Sequence, residues 1–229
     1  VFMLDISRSI RQTYLDAAKQ AVLNTRSRLR PQDQLAVITF GDSVSVLLEG
    51  NESSEIVSQK IASVKSTDEN TRFYDAMDTL VKTAASKTDM RHVAVMVSDG
   101  VEEASGDVTP EQVEQNLRNG GVAVYGLAVD SASEADLATF RNFVELSGGE
   151  FYVFSPSSAQ QTLDGMLKQI DAIWCLTLSA DSNSADGSQR TLEIKFGSLG
   201  TVSTKIAPTK YAADSVPPYV ISLDTDEAA

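Results

Sequence analysis

The stretch that decides the fold is VFMLDISRS at Val1–Ser9. Its apolar first half is typical of a buried strand, and Asp5, Ser7 and Ser9 follow where that strand should end. In an open α/β sheet, ligands bind in the crevice at the carboxyl ends of the strands. A carboxylate and two hydroxyl groups are hard oxygen donors, which favour a partly hydrated Mg²⁺ over zinc or a softer metal. The stretch therefore predicts a strand that delivers metal ligands.

Two later segments offer the ligands that such a site still needs. ENTRFYDAM at Glu69–Met77 has Thr71 ahead of a helix, and VAVMVSDG at Val93–Gly100 has Asp99 after a strand. Taken singly, each motif has an ordinary structural interpretation, because short polar side chains commonly cap helices and form turns. Their combination, in this order and each at the end of its element, favours one shared metal site.

The three motifs together resemble a von Willebrand factor type A domain, and the resemblance extends from residue 1 to about residue 172. It implies a metal-ion-dependent adhesion site that holds Mg²⁺, with Mn²⁺ or Ca²⁺ as possible substitutes. Each ligand position of the family carries the expected residue in this chain, namely Asp5, Ser7, Ser9, Thr71 and Asp99.

Two positions on the rim of the predicted site depart from the family's pattern. Members often carry glycine between the two motif serines and before the motif threonine, where this chain has Arg8 and Glu69-Asn70. Neither departure removes a ligand. Both change the rim, and Arg8 adds a positive charge within reach of whatever binds there.

The remainder of the first domain predicts an α/β fold. Continuous apolar runs alternate with segments of helical period, which is typical of a Rossmann-like, doubly wound and mostly parallel sheet. Apolar and polar residues alternate in Ser43–Leu48, which predicts one antiparallel edge strand. The other strands are expected at Leu35–Phe40, Val93–Val97, Val122–Val129 and Phe151–Phe154. Helices are expected at about 14–29, 73–84, 110–119, 134–147 and 158–173.

The pattern changes near residue 173. Three short alternating segments, which begin near Trp174, Leu192 and Val202, predict a small antiparallel β-sheet over residues 173–213. The double proline at Pro217-Pro218 is typical of a stiff linker, so residues 214–229 are interpreted as a linker or the start of a further module. The first domain accordingly covers residues 1–172.

Composition narrows the choice of partners. Asp and Glu number 32 against 19 Lys and Arg, and the resulting net charge of −13 argues against nucleic acid. No apolar run approaches the roughly 20 residues that a membrane span needs, so this segment should not insert directly into a membrane. The single cysteine, Cys175, cannot form an internal disulfide and says nothing about the compartment.

Two classes of function remain open. In the first, the chain is a non-enzymatic binding module, and a partner protein supplies an acidic residue to the metal. In the second, Asp5 is the nucleophile of a Mg²⁺-dependent phosphatase similar to the haloacid dehalogenase-like enzymes. Those enzymes need a second aspartate two residues later, where this chain has Ser7, and a hydroxyl group cannot replace that general acid or base. We therefore expect a monomeric adhesion or interaction module of a larger surface or secreted protein, with a cytoplasmic location as the alternative.

Overall fold

The structure is a computed structural model that describes residues 1–87, 90–106, 108–119, 121–155, 157–172, 190–195 and 200–206. Within these ranges, strands and helices alternate along most of the chain. The strands are β1 (Phe2–Asp5), β2 (Leu35–Phe40), β3 (Val44–Gly50), β4 (His92–Ser98), β5 (Val122–Val129), β6 (Phe151–Phe154), β7 (Arg190–Lys195) and β8 (Thr201–Ile206). The helices are α1 (Gln12–Arg28), α2 (Ser54–Ser63), α3 (Phe73–Ala85), α4 (Pro110–Asn119), α5 (Glu134–Leu146) and α6 (Ala159–Ala172).

Strands β1 to β6 form one sheet in the order β3-β2-β1-β4-β5-β6. Every neighbouring pair is parallel except β2 and β3. The chain builds the sheet outward in both directions from β1, which lies between β2 and β4. Leu4 pairs with Val97, so Asp5 lies level with Ser98, at the carboxyl end of both strands. This is the edge at which an open α/β sheet binds ligands.

The core covers both faces of this sheet. Successive residues of a strand point to opposite faces, and in β1 both faces are buried. Phe2 and Leu4 belong to one apolar cluster, which includes residues of α1 and α6. Met3 belongs to a second cluster, which includes residues of α3, α4 and α5. Burial on both faces explains why the strands read as continuous apolar runs, and the predicted doubly wound α/β fold is confirmed.

The elements differ from the sequence predictions mainly at their ends and in one helix. The antiparallel edge strand predicted at Ser43–Leu48 runs from Val44 to Gly50, and Leu47 forms a bulge in it opposite Val37 and Ile38 of β2. Helix α2 was not predicted from the sequence. Its start is marked by the Ser53 hydroxyl, which accepts the Ile56 backbone N–H, and Val57 and Ile61 are buried one turn apart.

The C-terminal strands form a hairpin in a second compact unit. β7 and β8 pair antiparallel, from Arg190 opposite Ile206 to Lys195 opposite Thr201. They correspond to two of the three predicted strands. The third, near Trp174, lies outside the described residues, as do Cys175 and residues 214–229. Among the described residues, no helix is long and apolar enough to cross a membrane.

Candidate metal centre

Asp5 is the last residue of β1, and its carboxylate is only 1% exposed. One oxygen, Oδ1, accepts the Ser7 backbone N–H at 2.9 Å and the Ser7 hydroxyl at 2.6 Å. The other oxygen, Oδ2, accepts the Ser98 hydroxyl at 2.7 Å. The turn after β1 and the end of β4 therefore fix the orientation of this carboxylate.

The two motif serines lie together in the turn after β1. Ser7 Oγ and Ser9 Oγ are 2.9 Å apart, and Ser7 is 2% exposed. The Asp-x-Ser-x-Ser pattern thus brings one carboxylate and two hydroxyl groups into direct contact, as the sequence predicts. A turn places these hydroxyl groups together, because the Ile10 backbone N–H donates to the Ser7 carbonyl at 3.1 Å.

Thr71 lies in the loop just before α3, and its side chain is buried, with 1% exposure. Its hydroxyl oxygen has no hydrogen-bond partner among the residues that the structure describes. Leaving a buried hydroxyl unpaired costs about 1 to 3 kcal/mol, so such a group in a folded protein calls for an explanation. A cation that accepts a lone pair from this oxygen is one explanation.

Asp99 follows β4 and is 5% exposed. Its Oδ1 accepts the Val101 backbone N–H at 3.1 Å, which leaves Oδ2 without a hydrogen-bond donor among the described residues. The loop beyond Asp99 is attached to the Thr71 segment, because the backbone N–H groups of Glu103 and Ala104 donate to the Thr71 carbonyl at 3.0 and 3.1 Å. The ligand positions of β4 and of the α3 loop are therefore linked through the main chain.

The electrostatics of the site favour a bound cation. Burial, together with the nearby charge of Asp99, raises the pKa of Asp5 to about 7, although the hydrogen bonds from Ser7 and Ser98 act in the opposite direction. Two carboxylates held close together away from water repel each other unless positive charge lies between them. The described side chains provide none at hydrogen-bonding distance from either group.

The donor set fits a hard cation. It consists of two carboxylates and three hydroxyl groups. In the described part of the chain, no three or more His, Cys, Asp or Glu residues lie together in a way that could hold a metal. Oxygen ligands with few charges suit Mg²⁺, Mn²⁺ or Ca²⁺, which keep waters in their shell. The unpaired Thr71 hydroxyl and the repelling pair of Asp5 and Asp99 are the two observations that make the residues fit such an ion.

Some residues around the site were not predicted. Ser98 is fully buried, and its hydroxyl orients Asp5 while accepting the Gly100 N–H at 3.0 Å. Its only sequence signal was its position directly before Asp99. On the rim, Arg8 pairs with Glu69 at 2.9 Å, and both side chains are about two-thirds exposed, at 66% and 69%. Both departures from the family's glycines thus meet in one exposed ion pair.

Comparison with known proteins shows the family of this chain. A family model described as the von Willebrand factor type A domain matches residues 1–169. The chain belongs to this family, whose domains generally serve as non-enzymatic interaction modules. No curated protein matches the sequence significantly.

Solved structures share the fold at low sequence identity. A von Willebrand factor type A protein from Catenulispora acidiphila is 13% identical with a TM-score of 0.65, over 97% of this chain and 58% of that one. The von Willebrand factor domain of the type V pili tip protein Mfa5 from Porphyromonas gingivalis is 10% identical with a TM-score of 0.61, over 75% and 94%. Proximal thread matrix protein 1 from the mussel byssus, in a form with a zinc-occupied metal-ion-dependent adhesion site, is 14% identical with a TM-score of 0.61, over 96% and 70%. The family's site accepts a divalent metal.

Proposed function

We propose that this chain is a non-enzymatic, divalent-metal-dependent protein-binding module. In this proposal Asp5, Ser7, Ser9, Thr71 and Asp99 hold Mg²⁺, for which Mn²⁺ or Ca²⁺ can substitute. The observation that carries the proposal is the buried Thr71 hydroxyl, which has no partner among the described residues although the Thr71 carbonyl is bonded to the loop that follows Asp99. Family membership and the zinc-occupied site of the mussel protein support it.

The charges at the site favour an acidic ligand from the partner. With a divalent cation bound, the ionised side chains of Asp5 and Asp99 would supply two negative charges, and the three hydroxyl groups would add dipoles without charge. A divalent cation bound there would supply an electrophilic centre for an anionic oxygen. A carboxylate on a partner protein is the group that would complete the coordination shell.

The local geometry disfavours the phosphatase alternative. Both oxygens of Asp5 accept hydrogen bonds, and at 1% exposure neither is open for attack on the phosphorus atom of a substrate. Ser7, at the position where the general acid or base should be, donates its own proton to Asp5. We therefore infer that the site binds and does not hydrolyse.

The setting of the module is part of the proposal. The pilus tip protein and the byssus matrix protein among the similar structures support an extracellular or cell-surface location within a larger protein. The net charge of −13 argues against nucleic acid as a partner. The module is expected to act as a monomer that captures one acidic side chain.

Replacement of Thr71 by Val tests the proposal, because valine keeps the branched shape and removes only the hydroxyl. The variant should lose most of its Mg²⁺ affinity in calorimetry of metal-stripped protein. At the same time it should unfold at higher urea concentration in a chelator, because an unpaired buried hydroxyl has gone.

Thr25 provides a matched control. Its hydroxyl is also buried without a partner among the described residues, but it lies on α1, in the second half of the helix and away from the turn after β1. Thr25→Val should therefore raise stability and leave Mg²⁺ affinity unchanged. Equal Mg²⁺ affinity for wild type and Thr71→Val, or no Mg²⁺ heat from wild type, would contradict the proposed site.

A further inference from the structure

The segment at residues 66–70, which precedes Thr71, clasps the turn after β1, and we call it the clasp segment. We propose that Asp68, at its centre, is a positioning residue that sets the distance between Thr71 and the two motif serines. This inference rests on the proposed metal-binding function. It concerns a residue outside the five predicted ligands.

Main-chain hydrogen bonds join the clasp segment to the turn. The Arg8 backbone N–H donates to the Asp68 carbonyl at 2.8 Å, and the Asp68 N–H donates to the Ile6 carbonyl at 3.1 Å. Ser7 and Asp68 form a parallel bridge. The Ser66 hydroxyl lies 2.5 Å from both the Ser7 and the Ile10 carbonyls. The clasp segment therefore lies alongside the turn that carries Ser7 and Ser9.

The Asp68 side chain attaches the same segment to the turn after β2. Its Oδ2 accepts the Asp42 backbone N–H at 2.9 Å. The side chain of Asp42 in turn binds the end of the clasp segment, because its Oδ1 accepts both the backbone N–H and the side-chain amide of Asn70, each at 2.9 Å. These contacts fix the clasp segment on both sides of Asp68.

Gly41 leaves the space that this arrangement needs. A Cβ atom at position 41 would lie 2.4 Å from Asp68 Oδ2 and 2.6 Å from Asp68 Cβ, closer than non-bonded atoms approach. The second contact involves the base of the side chain, so rotation of the carboxylate cannot relieve it. The backbone of Gly41 does not have a positive φ, so alanine can adopt its conformation, and the atoms nearest to the added Cβ all belong to Asp68.

The clasp matters because the Thr71 side chain has no described contact that would fix its hydroxyl. The position of Thr71 relative to Ser7 therefore depends on its main chain. Only two residues separate Thr71 from Asp68, and the Thr71 carbonyl accepts the backbone N–H groups of Glu103 and Ala104. Displacement of a ligand oxygen by a fraction of an ångström weakens the binding of a small cation that requires a rigid coordination geometry. Loss of a residue that supports a metal ligand typically lowers the metal affinity 10- to 100-fold.

The test is calorimetric titration of the metal-stripped full chain with MnCl₂. Asp68→Ala should bind Mn²⁺ about 10-fold more weakly than wild type. Asp68→Asn keeps an oxygen that accepts the Asp42 N–H, and it should stay within about threefold of wild type. Gly41→Ala, which removes no hydrogen-bonding group, should weaken binding to a similar extent as Asp68→Ala.

Asp33→Ala is the matched control. The Asp33 carboxylate also accepts a backbone N–H, that of Arg30. However, Asp33 lies just before the amino end of β2, whereas the metal site lies at the carboxyl ends of the strands. Its replacement should leave Mn²⁺ affinity unchanged. Circular dichroism and urea unfolding of each variant separate a loss of fold from a loss of affinity.

The outcomes distinguish this inference from the proposed function. Wild-type affinity in both Asp68→Ala and Gly41→Ala would overturn the positioning role while leaving the metal site in place. Loss of binding in Asp68→Asn as large as in Asp68→Ala would also overturn it, because the charge of Asp68 would then be what matters. Absence of Mn²⁺ binding by wild type would overturn the proposed function itself.

Discussion

Replacing Asp5 by Asn should stabilise the metal-free protein and abolish metal binding. Burial raises the pKa of Asp5 from 3.8 to about 7, with Asp99 adding to the effect. The folded protein therefore binds the Asp5 proton more tightly than the unfolded chain does. The stability that this group contributes is complete below about pH 4 and is lost as the pH rises through about 7.

The magnitude follows from the same shift. A rise from 3.8 to about 7 corresponds to about 4 kcal/mol at pH 8, where the carboxylate is ionised in both states. Asparagine keeps an oxygen for the two Ser7 donors, but its amide nitrogen cannot accept the Ser98 proton, so that hydroxyl must turn at a cost of about 1 kcal/mol. The expected net gain is about 3 kcal/mol at pH 8, and it should be far smaller at pH 5.

The assay is urea unfolding of both proteins in a chelator at pH 5 and pH 8, followed by circular dichroism. Addition of Mg²⁺ at pH 8 should then raise the midpoint of wild type, because a ligand that binds only the folded state stabilises it, and should leave the variant unchanged. A variant that is no more stable than wild type at pH 8, or a gain of equal size at both pH values, would refute the reasoning.

The remaining predictions concern the site and its partner. Asp99→Ala should weaken Mg²⁺ binding in calorimetry and keep the circular dichroism spectrum, because Asp99 follows β4 and contributes charge rather than apolar packing. The chain should show no turnover of a generic phosphate ester with Mg²⁺; turnover abolished by Asp5→Asn would contradict this. Binding of an acidic partner in surface plasmon resonance should vanish in chelator and quicken with moderate salt, because screening weakens repulsion by the net charge of −13. Unchanged affinity in chelator would mean that another face binds.

Most of the parallel sheet could be predicted because its strands are buried on both faces. β2, β5 and β6 run over the residues that the apolar runs predict. Helix α2 escaped prediction because two fully buried positions, Val57 and Ile61, are too few for a clear helical stripe, and its start lacks the proline at the first helical position that marks the equally short α4. The end of β3 differs from the prediction because Leu47 forms a bulge in β3 that changes its pairing register with β2, which local sequence does not specify.

The same contrast applies to the site. The proposed ligands were predictable because each lies at the end of an element and carries an oxygen that suits a hard cation. The supporting contacts were not, since they join residues far apart in the chain. Ser98 reaches Asp5 across 93 positions, and Ser66 reaches Ser7 across 59. Such pairs are set by how the loops pack together, which a single sequence without an alignment does not reveal.

Anomalous X-ray scattering from a crystal soaked in Mn²⁺ is the most direct test of the central claim, because it locates the ion without reference to activity. We expect one strong peak within coordination distance of oxygens from Asp5, Ser7, Ser9, Thr71 and Asp99, directly or through water. A fully soaked crystal with no peak at these residues, or with its strongest peak elsewhere on the chain, would contradict the account.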